Sequence, residues 1–139
     1  MKRDLVTKFD YSLGIAPANY TATTTGTARD MINALDIVAI FTLNDDTTVD
    51  ATNFFTFSFT ESATESGSYT AVPDAQFVTI DSWDKIWNAS GEANAFHFGQ
   101  VTLSAGMRWI KAVSTETAAA EGSFGVKLMW LDKTQPGSA

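Results

Sequence analysis

Ala34-Leu35-Asp36-Ile37-Val38-Ala39-Ile40-Phe41-Thr42-Leu43 is followed after a polar gap by Phe54-Phe55-Thr56-Phe57-Ser58-Phe59-Thr60. In the first run Leu35, Ile37, Ala39, Phe41 and Leu43 share one parity. In the second, Phe55, Phe57 and Phe59 alternate with Thr56, Ser58 and Thr60. Successive side chains of a strand point to opposite faces, so this two-residue period describes two strands, each with one side against a core. The fold class expected from it is all-β: a single antiparallel β-sandwich, jelly-roll-like, with a short helix and an extended N-terminal arm.

Outward from that pair, the signals are those of strands and turns. Ile15 to Thr23 reads as a strand that Pro17 confines to an edge or a start, and Thr23-Thr24-Thr25-Gly26 reads as a turn. Asn44 to Asp50 is a polar loop. Glu61 to Ser68 is a polar hairpin tip, after which Tyr69 to Val72 resumes extended chain until Pro73. Asp81 to Asn88 places Trp83, Ile86 and Trp87 at helical spacing behind a capping Asp81 or Ser82, which predicts one short helical turn. Phe96 and Phe98 share a parity that Val101 and Leu103 break, which predicts a bulge near Gly99. Arg108–Thr115 and Ser123–Leu131 are the last two strands, with Phe124, Val126, Leu128 and Trp130 facing the core. The domain boundaries expected are an arm at 1–14, a β-sandwich at 15–131 and a flexible tail at 132–139.

The 139 residues suffice for one domain with a core that needs no staple. The chain has no cysteine, which excludes disulfides, thiolate metal sites and cysteine nucleophiles. From Asp30 to Glu92 it carries eleven acids against a single base, Lys85, on a chain of net charge −7. Phosphate binding requires clustered Lys and Arg, so a nucleic-acid role is not expected. No apolar run has the length of a membrane-spanning helix, so no membrane role is expected either.

Little chemistry is legible. His97 is the sole histidine, and its place between Phe96 and Phe98 reads as a surface or rim position without the partners that general-base catalysis needs. The acids fall in polar loops rather than as an evident hydrolase pair. The Asn44–Asp50 loop lacks the spacing of a calcium loop. The expectation is therefore no enzyme, no metal and no cofactor. Two groups of residues are candidates for contact. One is the arm, where Lys2, Arg3 and Lys8 alternate with Leu5, Val6 and Phe9, a mixture suited to acidic and apolar partner groups. The other is Trp109 beside Arg108, an exposed aromatic platform of the kind that receptor- or carbohydrate-binding modules use.

Several segments together carry a resemblance: Tyr20-Thr-Ala-Thr ending at Gly26, Ala28-Arg-Asp-Met, the apolar strand Asp36–Leu43, Phe59-Thr-Glu-Ser leading to Gly67-Ser-Tyr-Thr-Ala-Val, and Gly106-Met-Arg-Trp-Ile-Lys-Ala-Val. From about Tyr20 to Leu131 the chain resembles the small β-sandwich virion proteins of tailed bacteriophages, the head decoration or cement type. That resemblance implies a structural protein made in the host cytoplasm and carried on the outer surface of the capsid. It implies the major capsid protein as partner and a homo-oligomer, a trimer around a local three-fold axis. The alternative is a receptor- or carbohydrate-binding module of a phage tail.

Overall fold

The alternation of the two founding strands places one in each of two packed antiparallel sheets. The computed structural model describes residues 9–132 except residue 47. Its strands in chain order are β1 (Phe9–Tyr20), β2 (Thr24–Thr25), β3 (Arg29–Asp30), β4 (Ala34–Asp46), β5 (Phe54–Ser62), β6 (Thr70–Ala71), β7 (Phe77–Thr79), β8 (Ile86–Trp87), β9 (Ala95–Val101), β10 (Trp109–Thr117) and β11 (Gly122–Asp132). Sheet A runs β1-β11-β4-β9-β7. Sheet B runs β2-β10-β5-β6, with β3 also paired to β10 and β8 to β5. The fold is a β-sandwich, with the half-buried strands that the two-residue period describes.

The core lies between the sheets and is largely aromatic. Ile37, Ala39, Phe41 and Leu43 of β4 are buried against Phe55, Phe57 and Phe59 of β5, with Phe124, Val126 and Leu128 from β11; the side chain of Leu35 lies outside the described residues. Phe41 is the hub: its ring centre is 5.4 Å from Phe57, 5.8 Å from Phe77 and 5.2 Å from Trp83. Edge-to-face and offset rings of this kind fill the roughly 10 Å gap between packed sheets and add directional contacts to area burial. Trp130 is only partly buried, packed on the rim of that core.

Three expectations are corrected. The short helix is absent: Ser82 and Lys85 take left-handed φ values of 62° and 68°, and Ile86–Trp87 pairs as a strand with Thr56 and Phe55. The two indoles explain this. Trp83 enters the gap beside Phe41 and Phe57, while Trp87 is fully buried beside Phe55. Burying both rings outweighs a helical period too short to pass its own nucleation cost. The arm is corrected next. Residues 9–14 belong to β1, whose register against β11 runs from Phe9 opposite Leu131 to Tyr20 opposite Gly122, so any arm is confined to residues 1–8, outside the described residues. The third correction is the bulge near Gly99. Strand β9 pairs with β4 in unbroken register from Ala95–Leu43 to Val101–Ile37, and its consequence is taken up below. Among the described residues, no helix is long and apolar enough to cross a membrane.

Two turns show how the sheets are joined. Asp50 Oδ1 accepts the backbone N–H groups of Thr52 and Asn53 at 2.8 Å each, and Asn53 Oδ1 accepts that of Ala119 at 3.0 Å. Thr48 Oγ1 donates to Ala119 O at 2.9 Å and accepts from Glu121 N at 2.8 Å. The acidic loop after β4 is therefore fastened to the β10–β11 turn, and the Asp50 carboxylate is spent on backbone amides.

Candidate functional site

Unbroken register in β9 fixes which way its side chains face. Because Val101 and Gly99 face the core, His97 does too, and Phe96, Phe98 and Gln100 must face out. The same logic through sheet A aligns two cross-strand rows on its outer surface. One is Tyr11, Met129, Val38, Gln100 and Val78; the other is Leu13, Lys127, Ile40 and Phe98, continued by Ile80, whose N–H donates to Phe98 O at 2.9 Å. Ile80 is 71% exposed, Tyr11 69%, Phe96 65% and Val78 57%. Apart from Ile32, every large hydrophobic side chain that stands exposed among the described residues belongs to this face.

The rows contain no carboxylate and one charge, Lys127, whose Nζ lies 4.5 Å from the centre of the Tyr11 ring. Sheet B presents the contrast. Its outer face sets Lys111 opposite Thr60, Val113 opposite Ser58 and Thr115 opposite Thr56, an ordinary solvated surface. Scattered surface hydrophobics are normal, but a contiguous apolar patch of more than a few hundred Å² marks an interaction site.

The residues singled out from the sequence lie elsewhere. Lys2, Arg3, Leu5, Val6 and Lys8 are outside the described residues; Phe9 opens β1, paired with Leu131. Trp109 opens β10 and Arg108 immediately precedes it. The guanidinium grips Asp30 with both arms, Nε to Oδ1 at 2.8 Å and an Nη to Oδ2 at 2.7 Å, and its carbon is 5.5 Å from the centre of the Trp109 ring. Trp109 is half-buried, with the Arg108 cation beside its ring.

His97 lies on the face opposite Phe96 and Phe98, and the structure turns it from the surface to the core side of the sheet, partly buried at the rim. Its ring stacks on Trp83 with centres 4.1 Å apart and planes 8° from parallel, and Nδ1 is 2.6 Å from Asp81 Oδ2. Among the described residues Nε2 has no hydrogen-bond partner, so no hydroxyl stands where a base would activate it. The pair's evident work is to hold the Trp83 segment against the sheet.

Three aspartates are held ionised more firmly than ordinary ones. The hydrogen bond from Arg108 lowers the Asp30 pKa against a smaller opposing effect of burial; amides at Asn53 and Thr52 lower that of Asp50. For Asp81, burial pushes upward, but the His97 hydrogen bond and nearby amides prevail and the net direction is down. A carboxylate whose pKa falls on folding contributes stability above its unfolded value, and that contribution is lost as pH falls through the folded value. The melting midpoint should therefore be flat near neutrality and drop below about pH 4. The Asp30→Asn variant should melt below the parent at pH 7 and converge with it toward pH 2; a gap that stays constant with pH would refute the linkage.

The outward residues were missed for a definite reason. With Val101 and Leu103 taken as core positions, the parity of Phe96 and Phe98 demands a bulge if they too face the core. The signal was present all the same: Tyr11/Leu13, Val78/Ile80 and Phe96/Phe98 are alternating pairs out of phase with buried neighbours.

Comparison with known proteins adds one finding. No protein-family model matches the chain, and no curated protein matches it. Among solved structures, the fold is similar to that of the SPBc2 prophage-derived protein YomS, with a TM-score of 0.55 at 13% sequence identity over 89% of this chain and 93% of that one. Nearly the whole length of each chain takes part, and at this identity the likeness is one of fold.

Proposed function

We propose that this chain is a structural protein of a tailed-phage virion, a head decoration or cement protein that binds the major capsid protein on the outer surface of the capsid as a homo-oligomer. The observation that carries the reading is the outer face of sheet A, whose two central rows are apolar and hold no carboxylate. A sandwich that leaves such a face open is suited to assembly, where burying surface is the function and no reaction is needed. The resemblance read from the sequence agrees, as does the shared fold with a prophage-derived protein. The acidic surface favours the outside of a head over the inside, where packaged DNA would repel it.

Mass spectrometry of purified particles of the encoding phage provides the test. Copies in the hundreds per particle support head decoration; a handful moves the protein to the tail, and none removes it from the virion. A second measurement concerns residues 1–8, which hold most of the basic and apolar mixture of the expected arm. A chain beginning at Phe9 should melt like the parent yet occupy undecorated heads at least about tenfold more weakly, the loss expected when charged and apolar contacts are removed together. Undiminished occupancy would assign the capsid contact to the sandwich itself.

A further inference from the structure

We infer that the outer face of sheet A packs on the same face of a second copy of this chain, giving a two-fold pair of sandwiches joined sheet to sheet. The inference rests on the reading of that face as an assembly surface and names its occupant.

Area is the first argument. Tyr11, Leu13, Val78, Ile80, Phe96 and Phe98 are 42–71% exposed, which for side chains of their size amounts to on the order of 600 Å², the upper end for an ordinary monomer's largest patch. Half-buried Val38, Ile40 and Met129 fill the centre of the face. With them it approaches the roughly 800 Å² per partner of a standard stable interface.

Charge is the second. The chain carries a net −7, so most approaches of one copy to another set carboxylate against carboxylate. The two rows at the centre of this face present none, the exposed Asp36 standing at its end beside Gln100, and their single cation, Lys127, is drawn over the Tyr11 ring. Recognition of a charged foreign surface works through complementary charges, which this face does not offer. A strongly apolar, charge-poor patch is instead the composition of homodimer interfaces.

Shape is the third. Two twisted sheets stack face to face with their strands within about 30° of alignment. A surface that meets its own copy closes under a two-fold axis, with each contact made twice. The five-stranded face supplies that surface, whereas the outer face of sheet B, lined by Thr56, Ser58, Thr60 and Lys111, does not.

Sedimentation velocity on the full chain, without heads, tests this directly. Two copies of the 15.0 kDa chain are expected to sediment together across a wide concentration range. Phe96→Glu and Ile80→Glu, each placing carboxylates in the contact, should weaken the pair at least ~30-fold, as burying an unpaired charge in an apolar contact does. Thr60→Glu on the opposite sheet should leave it intact. Because the chain has no cysteine, Gln100→Cys gives a second readout that does not depend on a disruptive change: a short bis-maleimide should join it into a covalent dimer and should not join Ser58→Cys. A parent that sediments as a monomer, a three-copy species, or a dimer broken by Thr60→Glu and spared by Phe96→Glu overturns the inference. A stable dimer that fails to bind heads overturns the decoration reading alone, and a head-binding monomer overturns the dimer alone.

Discussion

Phe57→Ala is expected to destabilise the fold by about 3–5 kcal/mol, the range for truncating a buried phenylalanine to leave a cavity its neighbours cannot close. Phe57 is 2% exposed. Its ring centre lies 5.4 Å from that of Phe41, 5.6 Å from Trp83 and 5.1 Å from Phe124. Those partners come from β4 and β11 of sheet A and from the segment before β8, so the ring ties sheet B to sheet A at two places and to that connecting segment at a third. Rigid strands on both sides prevent collapse into the void, which puts the loss at the high end of the range. For a domain of this size it corresponds to a drop in melting midpoint on the order of 10 °C or more. Chemical denaturation should show the loss in the midpoint with an unchanged slope. A loss below about 1 kcal/mol would mean that Phe57 does not face the interior.

Gly26→Ala is expected to cost about 3 kcal/mol or more, above the usual penalty for one added methyl, because the obstacle is backbone on both sides. A Cβ at Gly26 would overlap the carbonyl oxygen of Gly14 and lie 2.8 Å from its carbonyl carbon. Neither chain is free to withdraw. The Gly26 N–H donates to Ala112 O at 2.8 Å, which pins the turn to β10, and Arg29 Nε donates to Leu13 O at 2.9 Å, which pins β1 to the same corner. The methyl must therefore part β1 from sheet B. Calorimetry of the variant should show a lower midpoint, and hydrogen exchange should show the excess opening concentrated around Leu13 to Ile15. A variant within about 0.5 kcal/mol of the parent, the scatter of ordinary surface changes, would show that the corner yields.

The strands with strict alternation were legible because one face met the core and the other met water. Strand β5 is the clearest case: Phe55, Phe57 and Phe59 are buried and Thr56, Ser58 and Thr60 are not. In β9 the same rule gave the opposite of the truth. Phe96 and Phe98 have the hydrophobicity of core residues, and nothing local distinguishes a strand whose apolar side is out from one with a bulge. Register decided it, since Ala39 opposite Gly99 and Phe41 opposite His97 set the parity of the whole strand. The Trp83–Trp87 segment failed for a related reason. Helical spacing is a local preference of a few tenths of a kcal/mol per residue, and it lost to the burial of two indoles worth several times more.

By itself the sequence determined the all-β class, the aromatic core of β4, β5 and β11, the absence of any thiol chemistry and the acidic surface, because two-residue alternation, composition and charge are properties of the chain and not of its path. Tertiary structure decided that residues 9–14 belong to β1, that His97 turns inward onto Trp83 and that Tyr11, Val78, Ile80, Phe96 and Phe98 share one open face. Those residues are far apart in sequence, and only cross-strand register, a non-local pairing, brings them to the same side of a sheet.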